Sequence, residues 1–175
     1  LLETSRNRQR TGSGPANLCD PRPLVSELRL FKSDSELELM RHSCKIASAA
    51  HIEAMRNASS GMSEFQLQSI IEGCFIYNGS QWSYPSIVGG GDNATILHYV
   101  ENDSPVSDGD LVLIDAGCEI SGYASDITRT WPINGKFTEP QGILYQLVLD
   151  SQLAAISACR SGESGRRAGW IPGRP

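Results

Sequence analysis

The sequence predicts an α/β (α+β) fold in which two helices lead into an antiparallel β-hairpin sheet. Apolar residues recur at helical spacing in two successive segments before residue 79, and a capping-box pattern precedes each segment. Residues 84–131 are then rich in Ile, Val, Leu, Tyr and Thr and are punctuated by Gly and Asp, as strands and turns are. Both helices need a surface on which to bury their apolar faces, and this β-rich segment is the candidate.

The composition narrows the class of partner. The chain has 175 residues, about one domain on the usual prior, and a formal net charge of −5. An acidic chain gives no electrostatic reason to expect nucleic acid, because nucleic-acid binders concentrate basic residues on one face. Its apolar runs fall far below the ~20 residues that span a bilayer, and no charged-then-apolar leader follows Leu1. We therefore expect neither a membrane partner nor a secretory signal.

Five cysteines occur in the chain, and they are widely separated. Their number is odd and none forms a CxxC pair, which argues against a disulfide framework and against a thiolate zinc site. We therefore expect a reducing, intracellular compartment, either the cytoplasm or the mitochondrial matrix. Cys44 and Cys74 fall on predicted apolar helix faces, where a free thiol acts as a small hydrophobe.

The first part of the chain predicts a linker and then a helix. Residues 1–23 are rich in Arg, Gly and Pro and predict a linker, or the tail of an upstream domain. Residues 24–31 predict a short strand or entry segment, after which a capping box at Ser33 or Ser35 begins the first helix. The predicted core face of that helix consists of Leu37, Met40, Cys44, Ala47 and Ala54.

A second helix has clear start and stop signals. Ser63 and Gln66 form its capping box, and Met62 and Leu67 stand at the positions of a hydrophobic staple. The Asn-Gly pair at 78–79 predicts its end, because these residues tolerate the left-handed backbone of a helix terminus.

The β-rich segment and a third helix complete the predicted domain. Strands are predicted over 87–88, 96–100, 111–114 and 123–131. The glycine triplet at 89–91 neither follows a GxGxxG pattern nor opens a helix, so it predicts a tight turn. The third helix begins near Thr138, and its predicted buried residues include Ile143, Leu147, Val148 and Ile156. Residues 24–159 would form the folded domain, and 160–175, rich in Gly, Arg and Pro, an unstructured tail.

Two aspartates stand where strand propensity is unfavourable for them. Asp115 follows the run at 111–114, which is apolar on both faces as in a fully buried strand, and Asp126 lies within the next predicted strand. If the hairpin turn centres between Ile120 and Ser121, the two carboxylates lie directly opposite, with Cβ atoms about 4.5–5.5 Å apart. Like charges so placed repel unless a proton or a cation intervenes, and hard oxygen pairs suit Mn²⁺, Mg²⁺ or a bridged pair of divalent ions.

Readings without a metal stay open on spacing alone. The two aspartates could bond backbone amides near the turn, with Arg129 neutralising the second carboxylate. His98, in a predicted strand, is either a functional residue or a satisfied core histidine. His42 and His51 lie on one side of the first helix, too far apart to share a metal, and we interpret them as structural. Tyr84 is compatible with an ordinary strand aromatic.

Three ordered motifs carry a family resemblance. They are Ile-Val-Gly-Gly-Gly-Asp-Asn-Ala-Thr-Ile-Leu-His-Tyr at 87–99, Gly-Asp-Leu-Val-Leu-Ile-Asp-Ala-Gly at 109–117 and Gly-Tyr-Ala-Ser-Asp-Ile-Thr-Arg-Thr at 122–130. In this order and spacing they resemble aminopeptidase P, the Xaa-Pro aminopeptidases, and in particular the eukaryotic mitochondrial type. The resemblance covers residues 22–159 and implies the pita-bread fold of the creatinase and aminopeptidase group, shared with methionine aminopeptidase and prolidase.

The resemblance implies a metal-dependent hydrolysis. In that family two divalent metal ions, commonly Mn²⁺, bridge a water that attacks the peptide bond before a penultimate proline, so the substrates are peptides with proline in second position. By position, Asp115 resembles the bidentate ligand of one metal and Asp126 the carboxylate that bridges both. His98 resembles the histidine that steadies the scissile region, and Tyr84 a tyrosine that lines the substrate pocket. A bridged metal pair lowers the pKa of its water and offsets the repulsion between adjacent carboxylates.

The sequence departs from the family pattern after Asp126. The family uses one further histidine and two glutamates, yet no histidine follows His98, and Glu139, Asp150 and Glu163 stand in no family-like motif. We therefore expect an incomplete domain: the N-terminal half of a catalytic domain, lacking three of five protein ligands, inactive alone, and able to form a homo-oligomer through exposed edges. A non-catalytic pita-bread module that binds peptides or proteins, and a relative of prolidase or methionine aminopeptidase, stay open as alternatives.

Overall fold

The computed structural model describes residues 19–160, and the chain divides into two compact units, Leu1–Glu38 and Leu39–Pro175. In the first unit, helix α1 spans Arg22–Leu30. The prediction of a strand or entry segment over 24–31 is therefore wrong. Proline stands within the first two helical positions, where its φ suits a helix, and the short apolar pattern fits helical spacing as well as an extended one. The predicted tail over 160–175 lies, beyond Arg160, outside the described residues.

Helix α2 spans Asp34–Asn57 and begins at a predicted capping box. Ser33 is the residue that forms it, since Ser33 N donates to Glu36 Oε2 at 2.6 Å and Glu36 N donates to Ser33 Oγ at 3.4 Å. The buried face consists of Ser43, Ile46, Ala47, Ala50, His51 and Ala54. Cys44 is exposed, contrary to the prediction, because it lies at the margin of this stripe, about a quarter turn from its centre.

Helix α3 spans Glu64–Tyr77 and follows its predicted signals at both ends. Ser63 N donates to the side chain of Gln66 at 2.8 Å, which confirms the capping box. The helix ends at Tyr77, and Gly79 has φ +73°, as the predicted stop requires. Its fully buried apolar residues are Leu67, Ile71 and Phe75.

The strands within the described part of the chain form two antiparallel sheets of three strands each. One sheet has the order β1-β4-β5, with β1 over Gln81–Trp82, β4 over Cys118–Ile120 and β5 over Tyr123–Ala124. The other has the order β2-β3-β6, with β2 over Ile87–Gly90, β3 over Leu111–Ala116 and β6 over Ile127–Pro132. β3 and β4 follow each other along the chain, and so do β5 and β6, so a single long hairpin contributes to both sheets.

Two of the predicted strands differ in the structure. Residues 96–100 form no strand; a short 3₁₀-helix spans Gly91–Thr95, and His98 and Asn102 have φ of +58° and +50°. A left-handed backbone is incompatible with a strand, and the apolar pattern of the segment carried no sign of it. The segment 123–131 is not continuous either, because residues 125–126 separate β5 from β6.

Gly89 allows the 3₁₀-helix to pack onto β2, and Gly90 allows the side chain of Val106 to approach the same strand. A Cβ on Gly89 would lie 2.8 Å from the backbone N of Ala94, and one on Gly90 would lie 2.6 Å from Cγ2 of Val106. No side chain fits at either position. The predicted turn therefore begins at the last residue of the glycine triplet, Gly91, which has φ +55°, while Gly89 and Gly90 belong to β2.

The hydrophobic core lies between the two helices α2 and α3 and one face of the β2-β3-β6 sheet. Side chains of β3 alternate, with Val112, Ile114 and Ala116 fully buried in this core. The opposite face of β3 is half-buried, so the prediction that residues 111–114 are buried on both faces is wrong for the described residues.

The last helix, α4, spans Glu139–Ala158 and begins at a capping box formed by Thr138. The described part of the chain buries none of its residues. The predicted buried positions Ile143, Leu147, Val148 and Ile156 are 60–66% exposed, so that prediction is wrong here. Apolar side chains surround this helix on all sides, and no described element packs over them. Within residues 19–160 no helix combines the length and apolar character needed to cross a membrane.

Candidate functional site

Asp115 lies on β3, the central strand of its sheet. Asp115 pairs with Ile87 of β2 on one side and with Thr128 of β6 on the other. Asp115 shares the half-buried face of β3 with Leu111 and Leu113. Its carboxylate therefore points away from the helix-covered core, on a rigid element paired along both edges.

Asp126 is not directly opposite Asp115, so the predicted register is wrong. Asp115 pairs with Thr128, and Asp126 lies in the break between β5 and β6, where it is exposed. In a regular ladder this offset makes the two aspartates diagonal neighbours on one face, still within reach of each other through an intervening side chain.

The error in register comes from the turn. Ile120 pairs with Tyr123, which centres the turn between Ser121 and Gly122, one residue later than predicted. Both turn residues have positive φ, +53° and +84°, as the tight turns that match the twist of a hairpin require. Serine is an uncommon residue at positive φ, so the sequence favoured no particular centre.

The side chain of Tyr84 joins the two aspartates. Its hydroxyl contacts Asp115 Oδ1 at 2.5 Å and Asp126 Oδ1 at 2.9 Å. A phenol carries one proton and can donate it to one carboxylate at a time. Burial raises the pKa of Tyr84, and the hydrogen bonds to the two aspartates raise it further, so the phenol keeps its proton at neutral pH.

No ion pair neutralises the carboxylates of Asp115 and Asp126 in the described part of the chain. Among residues 19–160 the ion pairs join Arg22 to Asp20 and Arg56 to Glu53, so neither cleft aspartate takes part in one. The guanidinium of Arg129 instead donates to the backbone O of Thr128 at 2.7 Å. The alternative in which Arg129 neutralises the second carboxylate therefore has no support in this geometry. Two hard oxygen donors, one shared proton and no ion-pair partner are a donor set that suits a divalent cation.

These side chains line one cleft of about 320 Å³, together with His98. The structure thus brings together all four predicted site residues: Tyr84, His98, Asp115 and Asp126. Pro85, Ile87 and Val100 form the apolar part of the wall. His98 is exposed and lies in a loop, which excludes the alternative of a satisfied core histidine.

The sequence analysis missed two buried residues that hold this loop. Glu64 is fully buried and accepts four hydrogen bonds from the loop and its flanks. Asn102 accepts from Val88 N at 2.9 Å and donates to the backbone O of Ser86 at 2.8 Å. A glutamate in the first turn of a helix ordinarily indicates a solvent-exposed residue that interacts with the helix dipole, so no signal in the sequence distinguished Glu64.

His51 is buried beneath the strand that carries Asp115. Its ring is 2% exposed, and Nε2 lies 3.1 Å from the backbone O of Ala116. Since a carbonyl only accepts, Nε2 carries the proton, and Nδ1 has no partner among the described residues. Burial lowers the pKa of His51, and the bond to Ala116 opposes part of that shift. The interpretation of His51 as structural agrees with this position; His42 on the same helix is exposed.

The cleft offers a partial ligand set. In the part of the chain that the structure describes, no three His, Cys, Asp or Glu side chains converge in a way that could hold a metal ion. Asp115 and Asp126 are two oxygen-bearing side chains, fewer than the ligands that a divalent cation ordinarily takes.

Comparison with protein families gives one match over most of the chain. A family model described as metallopeptidase family M24 matches residues 38–170. The Xaa-Pro aminopeptidase of Escherichia coli (strain K12) is 47% identical over 170 residues, which are 94% of this chain and 38% of that protein. The Arabidopsis thaliana intermediate cleaving peptidase 55, mitochondrial, is 42% identical over 82% of this chain and 29% of its own length.

Solved structures agree with the sequence relatives. A single-residue variant of Escherichia coli aminopeptidase P in complex with substrate matches with a TM-score of 0.90 and 46% identity. Pseudomonas aeruginosa aminopeptidase PepP matches with a TM-score of 0.90 and 41% identity. Each match covers 95% of this chain and 38% of the other, so the chain spans less than half of the length of these relatives. The expected pita-bread fold, in the part that this chain covers, is confirmed by these neighbours.

Proposed function

Because this chain belongs to metallopeptidase family M24, we propose that it supplies part of the active site of an Xaa-Pro aminopeptidase. The observation that carries the proposal is the Tyr84 hydroxyl between the carboxylates of Asp115 and Asp126, in the cleft that His98 also lines. The substrates would be peptides with proline in second position. The sequence relatives named as Xaa-Pro aminopeptidases support this choice over prolidase or methionine aminopeptidase.

Asp115 and Asp126 would hold the metal ions of this site. Their oxygens are hard donors on a well-paired strand and at its edge, and the balance of charge around them favours a divalent cation. We propose two ions, with Mn²⁺ as the physiological metal; a zinc-substituted Escherichia coli aminopeptidase P has been solved in complex with product, so relatives accept zinc as well. When bound, such ions supply Lewis acidity toward the scissile carbonyl and lower the pKa of an attacking water.

The other cleft residues would bind and orient the peptide. His98, exposed at the mouth of the cleft, would donate a hydrogen bond to the substrate near the scissile bond. Tyr84 would line the pocket and, with its proton retained, would orient the carboxylates by donating to one of them at a time. The apolar wall of Pro85, Ile87 and Val100 suits a proline ring, which has no N–H to satisfy in a peptide.

A second candidate function is a non-catalytic module that binds peptides or proteins. The absence of a three-residue ligand group among residues 19–160 favours it for this chain by itself. The uncompensated carboxylate pair opposes it, because a peptide-binding surface has no need for two repelling charges around one hydroxyl.

Location and assembly are also proposals. Free thiols at all five cysteines within the described residues support a reducing compartment, either the cytoplasm or the mitochondrion. One relative carries the word mitochondrial in its name, and others are bacterial. Copies of the chain could associate as a homo-oligomer through the exposed apolar surface of α4.

A metal titration with a matched variant tests the proposed function. We expect Mn²⁺ binding that Asp126→Asn weakens about tenfold or more, whereas Asp150→Asn, an exposed aspartate on α4, changes it less than about twofold. In the same samples we expect no hydrolysis of an Xaa-Pro-Pro peptide by the chain alone. Mn²⁺ binding that is indifferent to Asp126 would contradict the metal site and favour the binding module. Turnover that Asp126→Ala abolishes would contradict the expected inactivity and show that a partner chain completes the ligand set.

A further inference from the structure

The carboxylate of Glu64 is a buried charge that the proposed chemistry does not use. Glu64 is 0% exposed at the start of α3. Its Oε1 accepts from the backbone N of Gly90 at 2.8 Å and from Nδ2 of Asn93 at 3.0 Å. Both donors precede His98 in the chain, on the upstream side of the loop that carries it.

The second oxygen of Glu64 holds the other side of that loop. Oε2 accepts from the hydroxyl of Tyr99 at 2.8 Å and from the backbone N of Ser104 at 3.0 Å. Asn93 Nδ2 also donates to the Tyr99 hydroxyl at 3.1 Å, which connects the two sides directly. One carboxylate therefore fastens both sides of the loop over residues 90–104, one oxygen to each side.

The tip of this loop has little packing of its own. Ile96, Leu97 and Val100 are 50–85% exposed, and Tyr99 is the buried residue of the tip, at 6%. His98 is itself exposed and adopts φ +58°, a conformation that costs free energy for a residue other than glycine. A strained, exposed position persists only when contacts elsewhere determine it, and the contacts next to His98 are those of Tyr99 with Glu64 and Asn93.

We propose that Glu64 is a positioning residue that clamps the 90–104 loop and thereby directs His98 into the cleft with Asp115 and Asp126. The significance of this position for catalysis rests on the proposed function. The clamp itself concerns the loop alone, and it requires neither metal nor substrate.

The clamp needs a carboxylate rather than a side chain of similar shape. Four donors converge on two oxygens, so every lone-pair direction that matters faces an N–H or an O–H. In Glu64→Gln one of the oxygens becomes an NH₂ group, which cannot accept from the backbone N–H on its side of the loop, that of Gly90 or that of Ser104. The variant conserves volume and releases one side of the loop.

Nuclear magnetic resonance of the whole chain gives a direct test. The sequence has three histidines, so the imidazole signal of His98 is separable from those of His42 and His51. In Glu64→Gln we expect the His98 imidazole signal to shift and broaden. We also expect amide hydrogen exchange at Gly90 or Ser104 to accelerate about tenfold or more, the range for loss of a charge-assisted bond. The amide of Gly61, which bonds the backbone O of Val106, should keep its exchange rate.

Ser43→Ala separates positioning from general stability. Ser43 is fully buried and donates to the backbone O of Cys118 at 2.7 Å, so its loss also removes a buried hydrogen bond of α2. We expect Ser43→Ala to lower the melting temperature and to leave the His98 signal unchanged. If Glu64→Gln does not fold, Tyr99→Phe removes one donor from the clamp while keeping the buried ring, and the same shift of His98 is expected.

The outcomes separate the clamp from the function that it would serve. A folded Glu64→Gln or Tyr99→Phe whose His98 signal and loop exchange match the unmodified chain overturns the clamp. Equal disturbance of His98 by Ser43→Ala also overturns it, because the effect would then follow stability alone. Failure of Asp126-dependent Mn²⁺ binding would instead count against the proposed function, and the loop measurements would stand.

Discussion

The two acidic sites of this protein differ in burial and in the number of hydrogen bonds that their carboxylates accept. In the interior, one carboxylate, Glu64, receives four hydrogen bonds and is fully buried. In the cleft, two carboxylates, Asp115 and Asp126, share the single proton of one phenol and reach solvent. The interior group has as many donors as its charge needs, and the cleft group has too few.

The number of hydrogen-bond donors distinguishes a structural carboxylate from one that is available to an external ligand. A buried charge survives folding only when donors replace the water that it loses, so Glu64 is satisfied by its own chain. The carboxylates of Asp115 and Asp126 receive few hydrogen bonds and form no ion pair within the described residues. Their free lone pairs can therefore accept from an external ligand. Substitutions of Glu64 and of the cleft aspartates should therefore change the free energy of unfolding by amounts that differ in sign and size.

The largest effect is expected from removing the interior charge. Glu64→Leu leaves two backbone amides, a phenol and a side-chain amide without their acceptor, which we expect to lower the free energy of unfolding by about 3–5 kcal/mol. Urea denaturation measures it. Asp126→Leu, which removes an exposed carboxylate, is the matched control, and a similar loss in both variants would contradict the distinction between the two groups.

The next effect is a pH dependence of stability that comes from His51. Burial lowers the pKa of His51 below its ordinary value near 6.5, so the folded chain binds its proton less readily than the unfolded chain. The stabilisation is therefore complete above pH 6.5 and is lost as pH falls toward the folded pKa, by at most about 1.4 kcal/mol per pH unit.

Denaturation between pH 7 and pH 5 checks this dependence. We expect His51→Gln to flatten the pH profile, because the amide can still donate to Ala116 O and does not titrate. His42→Gln, an exposed histidine of the same helix, should leave the profile as it is. An unchanged slope in His51→Gln would show that other groups control the acid sensitivity. Because its pKa is lowered, His51 is neutral at neutral pH and places no positive charge near the carboxylate of Asp115.

A smaller effect of opposite sign is expected in the cleft. Asp126→Asn removes one of two like charges around Tyr84, which we expect to stabilise the chain by about 0.5–1 kcal/mol in low salt. Thermal unfolding at low and at high salt measures it, since screening should shrink the gain. Asp150→Asn should show no such salt-dependent gain. Destabilisation by Asp126→Asn would mean that the pair is already compensated.

The smallest effect is expected at Arg129. Its guanidinium bonds the backbone of Thr128 and neither cleft aspartate, so Arg129→Gln should change the free energy of unfolding by less than about 0.5 kcal/mol. Mn²⁺ affinity should change by less than about twofold, measured by the same titration. A marked rise in Mn²⁺ affinity would show that the arginine competes with the metal for Asp126.

Much of this architecture was predictable because local rules carry it. The capping boxes at Ser33, Ser63 and Thr138 each depend on two residues three positions apart, and helices α2, α3 and α4 begin directly after them. The convergence of Tyr84, His98, Asp115 and Asp126 was also expected, although it rested on motif resemblance more than on the hairpin arithmetic.

The remaining features depend on contacts distant in sequence or on backbone handedness. The hydrogen-bond donors of Glu64 lie 26 to 40 residues away in the sequence, so no short sequence pattern indicates them. His98 has the composition of a strand around it and a left-handed backbone that only tertiary contacts impose. The apolar positions of α4 predicted buried residues wrongly, because burial depends on a neighbouring element that packs over the helix and the described residues contain none.

The turn at Ser121 and Gly122 has a consequence for the order of events in folding. Hairpins with tight turns close within about 1–10 μs, long before contacts between distant segments are made. Residues 111–132 can therefore set the spacing of Asp115 and Asp126 early, from local interactions alone. Tyr84 lies between β1 and β2, which pair with strands more than twenty residues later in the sequence. Its contact with the two aspartates therefore forms after the hairpin. A newly made chain would thus carry the two charges close together for a time with no phenol between them, a period in which dissolved metal ions have their easiest access.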